Sequence, residues 1–150
     1  RTYGLPITVA KLFMAYGPRQ PSDKLIPYLV CSLLRGESPH ISSGTRVCDF
    51  IYISDVVRGL LQLGLRSDLA GKTVELGTGE GVSIRDTALL IAAAMNSQAQ
   101  PLFGGMADRT GERSQVAALA ATQTLLDWTP DFSLEDGLRH TIEWYRATTI

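Results

Sequence analysis

The stretch from Leu5 to Phe13 constrains the fold of this chain more than any other segment. Its sequence, LPITVAKLF, is rich in β-branched and apolar residues and carries a single charge on Lys11. Such a run is typical of a strand buried on both faces of a parallel sheet. Parallel strands are joined by crossovers, usually helices, so the segment predicts an α/β protein. Because no initiator methionine precedes it, we expect the chain to be cut from a longer protein.

Strand and helix patterns alternate along the rest of the chain. A helix is predicted over Lys24 to Arg35, with Ser22 or Asp23 as its cap and Gly36 as its stop. The other predicted elements are a strand at Cys48–Ile53, a helix starting at Ser54 or Asp55, a strand at Thr73–Leu76, a helix opened by Ser83 and Asp86 that runs to about Asn96, and a last helix opened by Ser133.

Composition excludes several classes of function. The 14 basic and 15 acidic residues are scattered, and the net charge of -1 offers no cationic face for nucleic acid. The longest apolar stretch, Thr87 to Met95, is too short to span a membrane, and the first residues lack the order of a signal peptide. Cys31 and Cys48 stand apart from other ligand residues, so we expect no metal site and a reducing, cytoplasmic location.

The glycine run Gly77-Thr78-Gly79-Glu80-Gly81 follows a predicted strand. A dinucleotide cradle also uses glycines after a strand, because backbone N–H groups must approach a pyrophosphate there. The spacing differs from that of a cradle, and the acidic residue that should end a second strand is missing. We therefore interpret the run as a turn.

Histidine and arginine side chains are the remaining candidates for site residues. His40 and His140 have no nucleophile beside them in the sequence, so we expect them to be solvated or capping residues. Five arginines fall mostly in loops or at element ends, where guanidinium groups can bind phosphate: Arg19, Arg46, Arg85, Arg109 and Arg113. The segment Asp108–Arg113, with two arginines, two acids and a glycine, is the strongest of these candidates for ligand contact.

Several sequence blocks, taken in order and spacing, resemble one family. They are FMAYGP from Phe13, CDFIYISDV from Cys48, LGTG from Leu76 with Ser83-Ile84, Arg109-x-Gly111-Glu112, LLDWTP from Leu125, and SLEDGL from Ser133. The chain resembles the NAD-dependent epimerase/dehydratase family, the extended short-chain dehydrogenases that act on nucleotide sugars. The resemblance covers essentially the whole chain.

This resemblance implies the C-terminal portion of a Rossmann-type enzyme. In the complete enzyme a parallel sheet holds NAD or NADP, and a smaller region closes over a nucleotide diphosphate sugar. Family members transfer protons with a Tyr-x-x-x-Lys helix, but this sequence contains neither that pattern nor a Gly-x-x-Gly-x-x-Gly loop. We therefore expect no catalytic residue in the chain, no cofactor bound by the chain alone, and no activity in isolation.

The resemblance also assigns roles to individual residues. Leu12 and Phe13 correspond to positions near the nicotinamide. Arg109 corresponds to an arginine that grips the diphosphate or nucleoside, and Glu112 to an acid that helps to hold the nucleoside. By the same correspondence, residues 1–17, 55–79 and 133–147 belong to the cofactor-binding sheet, and residues 18–54 and 80–132 to the substrate-binding region.

Three positions depart from the family pattern. Met14 stands where relatives have an asparagine that hydrogen-bonds the substrate, and Lys11 where an arginine is common. Cys48 replaces the arginine of the Arg-Asp-Phe signature, which reaches the diphosphate in relatives. Losing such a contact costs about 1.5 to 3 kcal/mol. Arg46 lies two residues away, on the same side of an extended strand, and is a candidate to compensate.

Family architecture predicts a partner. Without upstream strands, the edge of the first strand and the neighbouring apolar faces would be exposed, so we expect either the missing N-terminal half or a second copy, in a homodimer, to cover them. Two alternatives remain open. One is a full-length enzyme of the same family with an altered pocket at Met14 and Cys48. The other is a non-catalytic module that binds sugar nucleotides or only self-associates.

Overall fold

In the computed structural model, which describes residues 5–108, 111 and 113–148, the predicted first strand is divided in two. Strand β1 covers Val9–Leu12 and strand β2 covers Met14–Tyr16. β1 pairs in parallel with β6 (Thr73–Leu76), whereas β2 pairs in parallel with β5 (Phe50–Tyr52). The chain therefore changes its partner strand at Phe13.

Five helices and four shorter strands are described in addition. The helices are α1 (Leu25–Leu34), α2 (Ile53–Gly64), α3 (Ile84–Ala94), α4 (Leu119–Leu126) and α5 (Leu134–Thr148), and the strands are β3 (His40–Ile41), β4 (Val47–Cys48), β7 (Val82–Ser83) and β8 (Leu102–Phe103). β3 and β8 are parallel, and β4 and β7 are antiparallel. The mixture of parallel strands and covering helices confirms the predicted α/β class.

Two of the predicted helix caps are confirmed. The Ser83 hydroxyl accepts a hydrogen bond from the Asp86 N–H at 3.0 Å, and the Ser133 hydroxyl accepts one from the Asp136 N–H at 3.1 Å. Each serine lies three residues before its acid, so the local sequence is enough to set the start of α3 and of α5.

The predicted cap of α1 is wrong. Its N-cap is Lys24, which makes no side-chain capping bond. The Lys24 N–H bonds to the Pro21 carbonyl at 3.0 Å, so a turn occupies the positions where Ser22 or Asp23 would have capped the helix. The predicted stop is confirmed, because Gly36 adopts φ +72° just after the helix.

The prediction that the first strand is buried on both faces is also wrong for this chain. Val9 and Leu12 are 51% and 45% exposed, although Ala10 packs against a core of eight buried residues. Within the described residues β1 has only β6 as a neighbour, so one edge of β1 remains open. Apolar residues suited to a sheet interior therefore lie at its margin.

The described residues form two apolar cores. The smaller core lies between α2, β6 and α4, and it contains Ile51, Val56, Leu63, Leu69, Val74, Leu76, Leu126 and Trp128. The larger core lies between α1, α3, α5 and the β2–β5 pair, and includes Leu29, Phe50, Ile91 and Leu138. No helix among the described residues is long and apolar enough to cross a membrane.

Candidate functional site

The change of strand partner at Phe13 brings the carboxyl ends of several strands together. The Phe13 N–H donates to the Leu76 carbonyl at 3.2 Å, and the Met14 N–H donates to the Asp49 carbonyl at 2.9 Å. Ligands of open α/β sheets bind outside the carboxyl ends of the parallel strands. The predicted residues Leu12, Phe13 and Met14 thus lie at the edge where a ligand site is expected.

Asp49 holds this junction together. Its carboxylate is 1% exposed and accepts four hydrogen bonds: from the Thr78 N–H at 2.8 Å, the Thr78 hydroxyl at 2.7 Å, the Gly79 N–H at 2.9 Å and the Ala117 N–H at 3.0 Å. These donors belong to the turn after β6 and to the segment before α4. A single buried side chain therefore joins three parts of the chain.

The segment Ser114–Ala118, called the strap below, crosses this edge of the molecule. At its start, the Ser114 hydroxyl accepts a hydrogen bond from the Val47 N–H at 3.2 Å, and Gln115 forms a parallel bridge with Cys48. At its end, the N–H groups of Ala117 and Ala118 donate to two carboxylates, those of Asp49 and Glu75. The strap is fixed at both ends.

Glu75 connects the strap to the first strand. Its Oε2 accepts from the Ala118 N–H at 2.8 Å, and its Oε1 accepts from the Lys11 ammonium at 2.8 Å. These two donors hold the pKa of the Glu75 carboxyl below its usual range, the Lys11 bond contributing most. Lys11, which the family resemblance places at an arginine position, therefore pairs within the protein.

The glycine run after β6 makes room for the strap. A Cβ on Gly77 would lie 2.6 Å from the Ala117 Cβ, and one on Gly81 would lie 2.9 Å from a Val116 methyl. Gly79 adopts φ +79°, and a Cβ there would lie 3.0 Å from the Leu119 Cβ. The run forms a turn, as expected, and its small residues also permit a close backbone approach.

Met14 and Cys48, which the family resemblance predicts to be substrate positions, lie on the core side of the junction. Cys48 is 5% exposed and belongs to the larger core, and Met14 is half-buried against that core. Arg46 lies just before β4 and Cys48, and its carbonyl accepts a hydrogen bond from the Ile84 N–H at 3.0 Å. Arg109 and Glu112 lie outside the described residues, and all five substrate assignments remain predictions.

The two histidines lie apart from this junction. His40 is exposed in β3, and its backbone N–H and carbonyl both bond to the Tyr28 hydroxyl. The His140 ring is about half exposed and lies 5.7 Å from the Phe132 ring, centroid to centroid. Their solvated positions agree with the sequence interpretation.

Sequence reasoning missed the two buried aspartates. Besides Asp49, Asp55 is 1% exposed and accepts from the N–H groups of Asp131 and Phe132 at 2.9 and 3.1 Å, and from Arg58 at 2.7 Å. The available signal was an acid inside an otherwise apolar run, CDFIYISDVV. Such an acid is retained where several donors converge on it.

Buried tyrosine stabilises the opposite side of the junction. Tyr16, at the end of β2, donates from its hydroxyl to the Leu134 carbonyl at 3.1 Å, and its ring packs edge-on against Phe50 and Tyr52. Burial raises the pKa of the Tyr16 hydroxyl well above its usual range. Tyr16 therefore stays protonated and serves as a donor that fixes α5 to the sheet.

Comparisons with known proteins place this chain in a family. The sequence model of the NAD dependent epimerase/dehydratase family matches residues 1–77. A curated relative, the dTDP-glucose 4,6-dehydratase of Neisseria gonorrhoeae, is 31% identical over 157 residues, covering 97% of this chain and 45% of that protein. The chain belongs to the NAD dependent epimerase/dehydratase family.

Solved structures agree with this assignment. UDP-glucose 4-epimerase from Thermotoga maritima, determined with UDP-glucose, matches with a TM-score of 0.90 and 29% identity, covering 99% of this chain and 48% of that one. UDP-glucuronic acid 4-epimerase from Bacillus cereus, in complex with UDP-glucuronic acid and NAD, matches at 0.87 and 28%, covering 96% and 46%. The chain spans about half the length of the relatives that it matches.

Proposed function

We propose that the chain is the C-terminal, substrate-binding part of a nucleotide-sugar epimerase or dehydratase. The observation that carries this proposal is the Asp49 junction, which gathers Phe13, β4, the glycine turn and the strap at one edge of the molecule. The similar proteins are sugar-nucleotide enzymes by their names. The ligand proposed for this edge is a nucleotide diphosphate sugar.

We assign two of the proposed site residues to the cofactor and five to the substrate. Leu12, 45% exposed at the end of β1, and Phe13 beside it provide an apolar surface suited to one face of a nicotinamide. Met14, Arg46, Cys48, Arg109 and Glu112 are proposed to line the sugar-nucleotide site. NAD or NADP would supply hydride transfer in the complete enzyme, and its pyrophosphate would be held by the missing half, since the glycine turn is occupied by the strap.

No catalytic residue is proposed for this chain, and the isolated chain is expected to be inactive. The Tyr-x-x-x-Lys pattern does not occur in its sequence. What the described residues supply is binding and orientation: a fixed edge, apolar walls at Met14 and Cys48, and carboxylates that hold the strap. The proton-transfer groups are proposed to come from the upstream half. The complete enzyme is proposed to be cytoplasmic.

A partner is proposed for the open edge of β1 and the outer face of α2. Val57, Leu61 and Leu65 are 48%, 67% and 87% exposed along a groove of about 400 Å³ on the side of α2 opposite its buried residues. A helix that is apolar on both sides is normally covered. We propose that the N-terminal half, or a second copy in a homodimer, covers these surfaces.

Calorimetric titration of the chain with UDP-glucose and dTDP-glucose tests the ligand proposal. We expect saturable binding that is lost in Arg109→Ala and kept in the control Arg139→Ala, which removes an exposed charge on α5. If neither sugar nucleotide gives a binding heat, binding by the isolated chain is contradicted. Equal binding by wild type and Arg109→Ala would contradict the assignment of Arg109.

A second candidate function is a non-catalytic module that binds a sugar nucleotide or only self-associates. The apolar character of Met14 and Cys48, both packed on the larger core where relatives are expected to carry polar groups, favours it. Co-expression with the upstream reading frame distinguishes the two. NAD-dependent turnover of a sugar nucleotide by the assembled halves would support the enzyme, and its absence in a stable complex would support the module.

A further inference from the structure

Lys11 and Glu75 lie side by side on adjacent strands. The parallel register sets Lys11 level with Glu75, and side chains at the same level leave on the same face of a sheet. The Lys11 ammonium lies 2.8 Å from Oε1 of Glu75, and Oε2 of the same carboxylate accepts the Ala118 N–H of the strap at 2.8 Å. One carboxylate therefore joins the first strand to the strap.

The Lys11 ammonium also contacts the Phe13 side chain. It lies 4.8 Å from the centroid of the Phe13 ring, within the range of cation–π attraction. A lysine ammonium is compact and carries three donors, so a hydrogen bond to Glu75 leaves it free to lie over the ring as well. Lys11 thus connects an aromatic ring to the anchored end of the strap.

The Phe13 ring packs against the glycine turn at the place where the strap crosses it. A Cβ on Gly77 would lie 3.0 Å from the Phe13 Cδ2 and 2.6 Å from the Ala117 Cβ. The ring and the strap therefore meet at a residue that has no side chain. Because closely packed groups transmit strain to their neighbours, a shift of the strap is expected to move the ring.

We propose that Lys11 and Glu75 are positioning residues for Phe13, and that they make its ring follow the position of the strap. This inference rests on the proposed function, because it takes the ring to face the nicotinamide and the strap to border the sugar-nucleotide site. Binding of the sugar nucleotide then adjusts the apolar surface on which the nicotinamide lies. Lys11 and Glu75 touch neither ligand in this arrangement and act through Phe13 and Ala118.

Lys11→Met tests the positioning role without any ligand, because it removes the charge and keeps an apolar stem. The two side chains of the ion pair are 45% and 26% exposed, and such a pair contributes little to global stability, so the readouts are local. In NMR spectra we expect the Phe13 ring signals to shift and the Ala118 amide to exchange with solvent about tenfold faster than in the wild type. The control Lys72→Met, which removes an exposed charge just before β6, should change neither.

Two further variants separate positioning from a general loss of structure. Arginine keeps the charge, pairs with carboxylates and stacks on aromatic rings, so Lys11→Arg should keep the slow exchange of the Ala118 amide. Glu75→Gln leaves the ammonium without its anchor, so it should shift the Phe13 ring signals in the wild type and add nothing in Lys11→Met. Unchanged ring signals in Lys11→Met and Glu75→Gln, or equal effects of Glu75→Gln in both backgrounds, would overturn the inference.

UDP-glucose tests the link between the strap and the ring. Saturation of the wild type should shift the Phe13 ring signals, and the same saturation should shift them less than about half as far in Lys11→Met. A ring that does not respond, or that responds equally in both proteins, would overturn the link and leave the proposed function standing. If the wild type binds no UDP-glucose, the proposed function of the isolated chain fails and the link to the ligand fails with it, whereas the ligand-free comparison still decides the positioning role.

Discussion

No other side chain of similar size can replace the carboxylate of Asp49 as the acceptor of four hydrogen bonds. Asparagine would keep the size but would offer one oxygen to four donors and point an amide N–H₂ at the rest. We expect Asp49→Asn to lower the free energy of unfolding by about 3 kcal/mol, measured by urea denaturation. Asp68→Asn, an exposed control beside Arg66, should leave it nearly unchanged. A similar small change in both variants would contradict the role of Asp49.

Gly77 allows the strap to approach the turn after β6 closely. In Gly77→Ala the new Cβ would meet the Ala117 Cβ at 2.6 Å and the Asp49 Oδ2 at 2.7 Å, so the strap must move. A loss of about 1 to 3 kcal/mol of unfolding free energy is expected. Gly64→Ala, at the end of α2 where nothing lies within 4 Å, is the matched control and should be neutral or slightly stabilising. If Gly64→Ala lost more unfolding free energy than Gly77→Ala, the close approach of the strap to Gly77 would be refuted.

Glu75 gives the chain a predictable response to acid. Its pKa is lowered in the folded state by Lys11 and the Ala118 N–H, so the stabilisation is complete above its ordinary value of 4.5 and is lost as pH falls through the lowered value. Glu75→Gln should therefore be less stable than the wild type at pH 7, and the difference should shrink at about pH 3. Urea denaturation at the two pH values measures this. A difference that is the same at both would exclude Glu75 as the source.

Helix α2 carries apolar residues on two opposite sides. Val56 and Leu63 face the smaller core, whereas Leu61 and Leu65 are 67% and 87% exposed. The double variant Leu61→Gln/Leu65→Gln should keep the thermal midpoint of the monomer and reduce association in sedimentation experiments, because it removes apolar surface without opening the core. Leu89→Gln, 43% exposed on α3, is the control. Association that is identical in all three proteins would contradict the proposed covering of α2.

The elements that were predictable from sequence have local causes. Ser83 and Ser133 start helices because the hydroxyl of each accepts a hydrogen bond from the backbone N–H of the aspartate three residues later. Helix α4 was not predicted, because only Thr122 and Leu126 of its residues are buried and its apolar pattern is weak. The division of the first strand at Phe13 depends on β5 and β6, which lie far along the chain. Long-range partners of this kind leave little trace in local periodicity.

The same distinction holds for the site. The sequence blocks at Phe13, Cys48 and Leu76 indicated the family, and the structure brings all three to one edge. The strap was not foreseen as an anchored segment, since its bonds to Asp49 and Glu75 are made by backbone N–H groups of alanines. Backbone donors carry no sequence signal.

The chain as a whole corresponds to about half the length of the family members that it matches. Its match to the Thermotoga maritima epimerase covers 99% of this chain and 48% of that one. The open edge of β1, the apolar outer face of α2 and the Asp49 junction are the surfaces at which the remaining half and the ligand are proposed to meet.

The most direct test of this account is a backbone amide NMR spectrum of the chain during titration with UDP-glucose. We predict that the shifted signals cluster at the junction, in Phe13, Arg46, Thr78, Gly79 and Ala117, while the signals of α5 beyond Ile142 stay in place. Shifts that are confined to other surfaces, or a spectrum that does not change at saturating ligand, would contradict the assignment of this edge as the sugar-nucleotide site.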